Sequence, residues 1–186
     1  MRDIEYIPIV MIRPNLADIP QCPLPAGYRM RLFRPGDRET WLAVEQASEV
    51  FISIAGQTFD DNFGHDLPAM EKRSFFLVAP DGSDVGTITA WYDRNYRGLP
   101  WGRIHWVAIR PEHRGKGLSK AIMAVAMNRL WSLGHRRAVL GTQTPRLPAI
   151  RTYLNFGFVP DMRTKDAQRA WSLVARHISH PAMKGL

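Results

Sequence analysis

"IRPEHRGKGLSKAIMAVAMNRL", residues 109–130, decides how the rest of the chain is read. It opens on Pro111 and a cluster of charge, passes Gly115 and Gly117, and then becomes helical in period. Leu118, Ala121, Ile122, Val125, Ala126, Leu130 and Leu133 fall at spacings of three and four, the stripe of a helix with one buried side. Gly134 supplies its stop. Just upstream, "GRIHWVAIR" (102–110) lies between Pro100 and Pro111 and reads as a strand. Strand, sharp turn and helix in that order leave unpaired N–H groups at the helix mouth, with about half a positive charge from the peptide dipoles. Gly115 and Gly117 remove the Cβ atoms that would hold an anion off, Arg114, Lys116 and Lys120 add charge, and Ser119 adds a hydroxyl. The stretch predicts a phosphate cradle. It is not a P-loop, because no Gly-Lys-Ser/Thr follows a glycine at the right spacing. Nor is it a dinucleotide turn, because Lys120 stands where the third glycine belongs.

On either side the chain alternates between two periods. "YRMRLFRPGD" (28–37) reads as a strand and turn, and Asp37 as the cap of a helix over "RETWLAVEQASEVF". Residues 55–72 are weakly periodic, a short helix or a loop. "SFFLVAP" and "VGTITAWYD" are strands joined by the hairpin signal "DGSD". "RRAVLGTQT" reads as a strand, "PAIRTYLNF" as a short helix ended by Gly157, and "DAQRAWSLVARHI" as a last helix. Residues 1–27 hold five of the 14 prolines and are expected to form an extended arm. The order implies a mixed α/β domain with a partly antiparallel sheet.

At 186 residues, 45% hydrophobic and 23% charged, the chain has the composition of one globular domain. It has no apolar run long enough to span a membrane, and Pro8 spoils "YIPIVMI" as a signal peptide. A single cysteine, Cys22, fits a reducing, cytoplasmic setting. No Cys/His cluster has metal-ligand spacing, so no metal is expected. The net charge of +8 invites a nucleic-acid reading, yet residues 93–120 alone carry a surplus of five positive charges, around the glycine turn. A polyphosphate ligand uses such a surplus better than a nucleic acid, and no zinc-finger or RRM-type signature is present.

"VAIRPEHRGKGLSKAIM" resembles the acyl-CoA motif Arg/Gln-x-x-Gly-x-Gly/Ala of the GNAT superfamily of N-acyltransferases. Arg114 and Gly117 fill its fixed positions, and Ser119 departs from it with a small side chain. Downstream, "AIRTYLNFGF" (149–158) resembles the family's Ala-x-x-Leu-Tyr-x-x-x-Gly-Phe, with Thr152 in place of leucine. The likeness covers roughly 28–161, an acyltransferase domain between the 1–27 arm and a C-terminal helix and tail at 162–186.

The resemblance implies a mostly antiparallel sheet with one splayed parallel pair, flanked by helices. It also implies an enzyme that moves an acetyl group from acetyl-CoA to a primary amine, on a small molecule or a peptide, by direct attack. Main-chain groups of Val107, Ala108 and Ile109 would pair with the pantetheine arm. The backbone of Arg114, Gly115, Lys116, Gly117, Leu118, Ser119 and Lys120 would hold the pyrophosphate. Tyr153 matches the general acid, since a phenol stays protonated at neutral pH and can donate to a thiolate. Arg103 stands where relatives carry a basic glutamate, which leaves His105 as the candidate base and Asp93 as a weaker one. The acceptor pocket is expected between 55–72 and 93–101, with Glu45 and Glu49 among the acids that would attract an amine. The alternatives are an acyl-CoA sensor without turnover and a basic nucleic-acid module. The arm and the last helix are candidates for a homodimer contact.

Overall fold

The computed structural model describes residues 4–185. Strand β4 (Asp84–Tyr96) is its centre: Ile88 and Ala90 face one side, Thr87, Thr89 and Trp91 the other, as a period of two requires. Strands β3 (Ser74–Val78) and β2 (Arg29–Leu32) pair on one edge of it and β5 (Leu99–Ile109) on the other, all antiparallel. Beyond β5 comes β6 (Ala138–Gln143), in parallel, and then β1 (Pro8–Arg13) and β7 (Val159–Pro160). The seven strands run β2-β3-β4-β5-β6-β1-β7.

Helices α1 (Arg38–Ser48), α2 (Gln57–Phe63) and α3 (Leu67–Arg73) cover one face. They bury Trp41, Phe59, Phe63 and Met70 against Phe76 and Trp91. The other face carries α4 (Leu118–Ser132), α5 (Leu147–Asn155) and α6 (Ala167–Ala175), with Ile122, Met127, Leu154 and Trp171 packed on Ile88, Ile104 and Leu140. Each such aliphatic or phenyl side chain, fully buried, contributes roughly 1.5–3 kcal/mol. The expected mixed α/β fold, largely antiparallel with one parallel pair, is the one observed.

Several local expectations are refined. The weakly periodic 55–72 stretch is two short helices, split where Asp66 caps the second through the Ala69 N–H. The 93–101 loop is the tip of the β4–β5 hairpin: Arg97 and Gly98 both have positive φ, the two-residue turn that matches strand twist. Asp37 sits at the start of α1 without capping it by its side chain. Its carboxylate instead accepts from the Arg31 guanidinium at 2.6 Å and from the Arg34 N–H at 2.7 Å.

The proline-rich start is extended, but Pro8–Arg13 lies inside the sheet, between β6 and β7, and is not a detached arm. Ile9 and Met11 are buried there, although Pro8 and Pro14 bracket them in the sequence. Arg13 then turns inward and its guanidinium donates to the carbonyls of Asn15, Ala17 and Asp18 and, at 2.6 Å, to that of Phe156 at the end of α5. At the other end of the chain, α6 buries Ala170, Trp171 and Val174. No helix of the described residues is long and apolar enough to cross a membrane.

Candidate active site

Two irregularities of β5 open the site. Its parallel pairing with β6 is confined to Gly102 opposite Ala138 and Arg103 opposite Val139, although both strands continue, so they splay apart. On its other edge the register with β4 slips between Thr87 and Thr89, where Ala108 and His105 are the partners, so β5 carries one extra residue. Trp106 absorbs that residue with φ of 48° and packs edge-on against Trp41, ring centroids 5.1 Å apart. Opposite the bulge, the chains approach so closely that a Cβ on Gly86 would sit 2.7 Å from the Ala108 carbonyl oxygen. The bulge breaks alternation, so His105 and Val107 do not share a face as a regular strand would have them do.

A cleft of about 510 Å³ fills the splay. Val107, Ala108 and Ile109 form one wall and Ala149, Thr152 and Tyr153 the opposite one. His113, Arg114, Gly115, Gly117, Leu118 and Ser119 close one end. Gly115 and Gly117 have φ of 77° and 76°, the left-handed region, and a Cβ on either would meet no protein atom within 4 Å. Gly117 is the N-cap of α4. The turn therefore presents amides over open space, the shape that receives an anion. Lys116 reaches toward Tyr28, whose hydroxyl is 2.9 Å from His113 Nδ1. Arg114 is committed to the fold: its guanidinium donates to the Ile109 carbonyl at 3.0 Å and to that of Ser48 at 2.7 Å, tying β5 to the end of α1. Of the predicted cradle residues, Lys116 and Lys120 do not line the cleft itself.

Tyr153 is set by the way α5 ends. Phe158 N–H donates to the Tyr153 carbonyl at 3.1 Å and Gly157 N–H to that of Leu154 at 2.9 Å, a Schellman pair closed by Gly157 with φ of 74°. Phe158 then packs edge-on against the Tyr153 ring at 6.3 Å. The Gly-Phe that follows the tyrosine in sequence is thus the device that fixes it. Burial pushes the phenol up to about 12, with Arg146 opposing and Glu45 adding to the shift. It is protonated throughout the neutral range.

Glu45 faces the same cleft from α1 and is 3% exposed. The Thr87 hydroxyl donates to its Oε1 at 2.5 Å. Burial pushes its carboxyl up to about 8, against the Thr87 hydrogen bond, with Glu49 raising it further and Arg146 lowering it. Glu49, one turn on, behaves in the opposite way. Burial opposes its ionisation, but the Arg146 ion pair at 2.5 Å and the N–H groups of Phe51 and Val50 hold it below its ordinary value. One helix therefore brings a carboxylate and a neutral carboxyl to one wall. The sequence marked both residues as acids that would attract an amine; that Glu45 is buried depends on α1 docking over Thr87.

His105 lies outside the cleft lining. Its Nε2 is 3.1 Å from Asn62 Oδ1 and its ring packs edge-on to Phe63. Burial, with Arg103 assisting, pulls its pKa down to about 3, so it is neutral near pH 7. Asp93 is likewise outside, 3.8 Å from Arg103. A second cleft of about 450 Å³ does lie between α3 and the base of the β4–β5 hairpin, where Asp66, Arg73, Tyr92 and Asp93 meet. It shares no lining residue with the first.

Residues 33–158 match the family model described as "Acetyltransferase (GNAT) family". Two proteins named mycothiol acetyltransferase are each 31% identical to the chain. That of Streptomyces bingchenggensis aligns over 78% of this chain and 47% of its own length. That of Thermobispora bispora aligns over 80% and 52%. The chain thus spans about half the length of the curated relatives it matches. A GCN5-related N-acetyltransferase from Sphaerobacter thermophilus has the same fold, with a TM-score of 0.67 at 21% identity over 87% of this chain and 51% of that one. The Escherichia coli ribosomal-protein-S18-alanine N-acetyltransferase does so at 0.57 and 18%, over 70% and 76%. With the family model matched over more than half of its residues, and with the splayed strands and glycine turn on which the sequence motifs fall, the chain belongs to the acetyltransferase (GNAT) family.

Proposed function

We propose that the protein transfers an acetyl group from acetyl-CoA to a primary amine by direct attack. The observation that carries this reading is the meeting, in one cleft, of open left-handed glycines at a helix mouth and a buried, protonated Tyr153. The amides of residues 114–119 hold the diphosphate, and main-chain groups of Val107 and Ala108 receive the pantetheine arm along the unpaired edge of β5. Binding free energy from that remote end orients the thioester carbonyl for attack. As the C–S bond breaks, Tyr153 gives its proton to the departing thiolate. The lining holds no cysteine, in keeping with transfer that involves no acyl-enzyme. The amine enters on the side of the cleft lined by Glu45 and Glu49. The names of the relatives direct the acceptor search toward mycothiol chemistry.

The test has two arms. Coenzyme A should raise the melting temperature by mass action, by an amount that grows with its concentration. Acetyl-CoA with a panel of aminosugars, amino-acid amides, polyamines and peptide N-termini should release free thiol in step with acetylated amine. Absence of stabilisation by CoA overturns the cradle. Stabilisation with no thiol release from any amine overturns the catalytic reading in favour of a sensor.

A further inference from the structure

We propose that Glu45, on α1, is the group that takes the proton from the incoming ammonium, with Thr87 as its positioning residue. The inference rests on the acetyl-transfer reading above and assigns the base that reading leaves open.

Four observations converge on it. Glu45 is one of two carboxyls in the cleft lining, and the other, Glu49, is neutralised by Arg146 at 2.5 Å. Glu45 has no basic side chain within salt-bridge distance among the described residues; its hydrogen-bond partner is a neutral hydroxyl. Glu45 and Tyr153 line the same cleft, and the Glu45 carboxyl adds to the upward shift of the phenol. Finally, His105 and Asp93, the residues the sequence offered as bases, are both outside the cleft lining.

The surroundings also let the carboxyl change charge cheaply. Thr87 Oγ1 has a second acceptor, the carbonyl of Trp106 in the β5 bulge, at 3.4 Å. When Glu45 is ionised, Thr87 donates to it. When Glu45 is protonated, Glu45 can donate to Thr87, and the threonine proton turns to Trp106. Neither state leaves the buried carboxyl unpaired. The groups that face it are Glu49 at the C-cap of α1, Arg146 before α5, Arg114 of the glycine turn, which donates to the Ser48 carbonyl, and the neutral phenol of Tyr153. Burial, with Glu49 adding to it, outweighs the Thr87 hydrogen bond and the attraction of Arg146 and pushes the carboxyl up to about 8, within reach of an amine's own pKa.

The protons balance. The ammonium gives one proton to the Glu45 carboxylate, which returns it to solvent. The free amine forms the N–C bond, the C–S bond breaks, and the thiolate takes the Tyr153 proton. The positively charged amide nitrogen then gives up its second proton to restore the phenol.

The first readout needs no acceptor. In protein labelled with carboxyl-13C glutamate and saturated with CoA, the resonance missing from Glu45→Gln should titrate near pH 8, and Thr87→Val should move its midpoint upward. The second is the pH profile of kcat/KM with the fastest amine of the panel. Glu45→Gln should lower kcat by about 10²–10⁴ with CoA affinity within about twofold of wild type. Thr87→Val should shift the acid limb upward, which an acid limb belonging to the amine itself does not do. A Glu45 resonance titrating in the ordinary carboxylate range, or a Glu45→Gln enzyme with wild-type kcat, overturns the proposal. If the unmodified protein binds no CoA or releases no thiol, it is the acetyl-transfer reading that has failed.

Discussion

At Tyr153 and Gly117 single atoms test the proposed function. Tyr153→Phe removes one oxygen, and kcat should fall by about 10²–10⁴ with CoA affinity unchanged. Because burial holds the phenol up to about 12, the wild-type rate should show no alkaline fall from its ionisation below pH 10. Gly117→Ala places a side chain where φ is 76°, at a strain of roughly 1–2 kcal/mol. No protein atom lies within 4 Å of that Cβ, so the melting temperature should drop modestly while calorimetry shows CoA affinity weakened by roughly tenfold. The same scale governs stability against pH. Glu45 has a folded pKa of about 8 against an ordinary 4.5, so the fold prefers its protonated form. Its contribution is fully present below pH 4.5 and is lost as pH rises through 8. Melting curves should therefore show Glu45→Gln gaining on wild type from pH 5 to pH 9.

Elements act through their ends and irregularities. Gly157 closes α5 in the left-handed region, and a Cβ there would sit 3.4 Å from Arg13 Nε. Gly157→Ala should therefore loosen the last turn of α5 and displace Tyr153, lowering kcat more than it weakens CoA binding in steady-state and calorimetric measurements. In β5 the bulge at Trp106 turns the strand so that Val107–Ile109 wall the cleft. Gly86→Ala pushes a Cβ to 2.7 Å from the Ala108 carbonyl, directly beside that bulge. It should lower the melting temperature and, by moving Ala108, weaken CoA binding as well. The elements were legible where one pattern ran long. The 15-residue α4 and its stop at Gly134 follow from period and glycine alone, and His135 N–H to Leu130 completes that cap at 3.0 Å. The bulge was not legible, because a tryptophan with positive φ leaves no mark in an apolar run.

Across the whole molecule, the two halves of the sheet are held by segments distant in sequence. Pro8–Arg13 is flanked by β6 and β7, and Arg13 binds the end of α5, so the first residues complete the half that carries Tyr153. Removal of residues 1–13 should then abolish cooperative unfolding by circular dichroism, whereas a detachable arm would leave the transition intact. Two motifs, by themselves, determined the family, the left-handed glycine turn and the place of Tyr153, because helix caps and left-handed glycines are local demands written within a few residues. The opening of the cleft, the exclusion of His105 and the burial of Glu45 were decided only by the tertiary structure. Each depends on what is removed from water when α1 docks on β4 beside a splayed strand, and desolvation is a property of neighbours that no local pattern encodes.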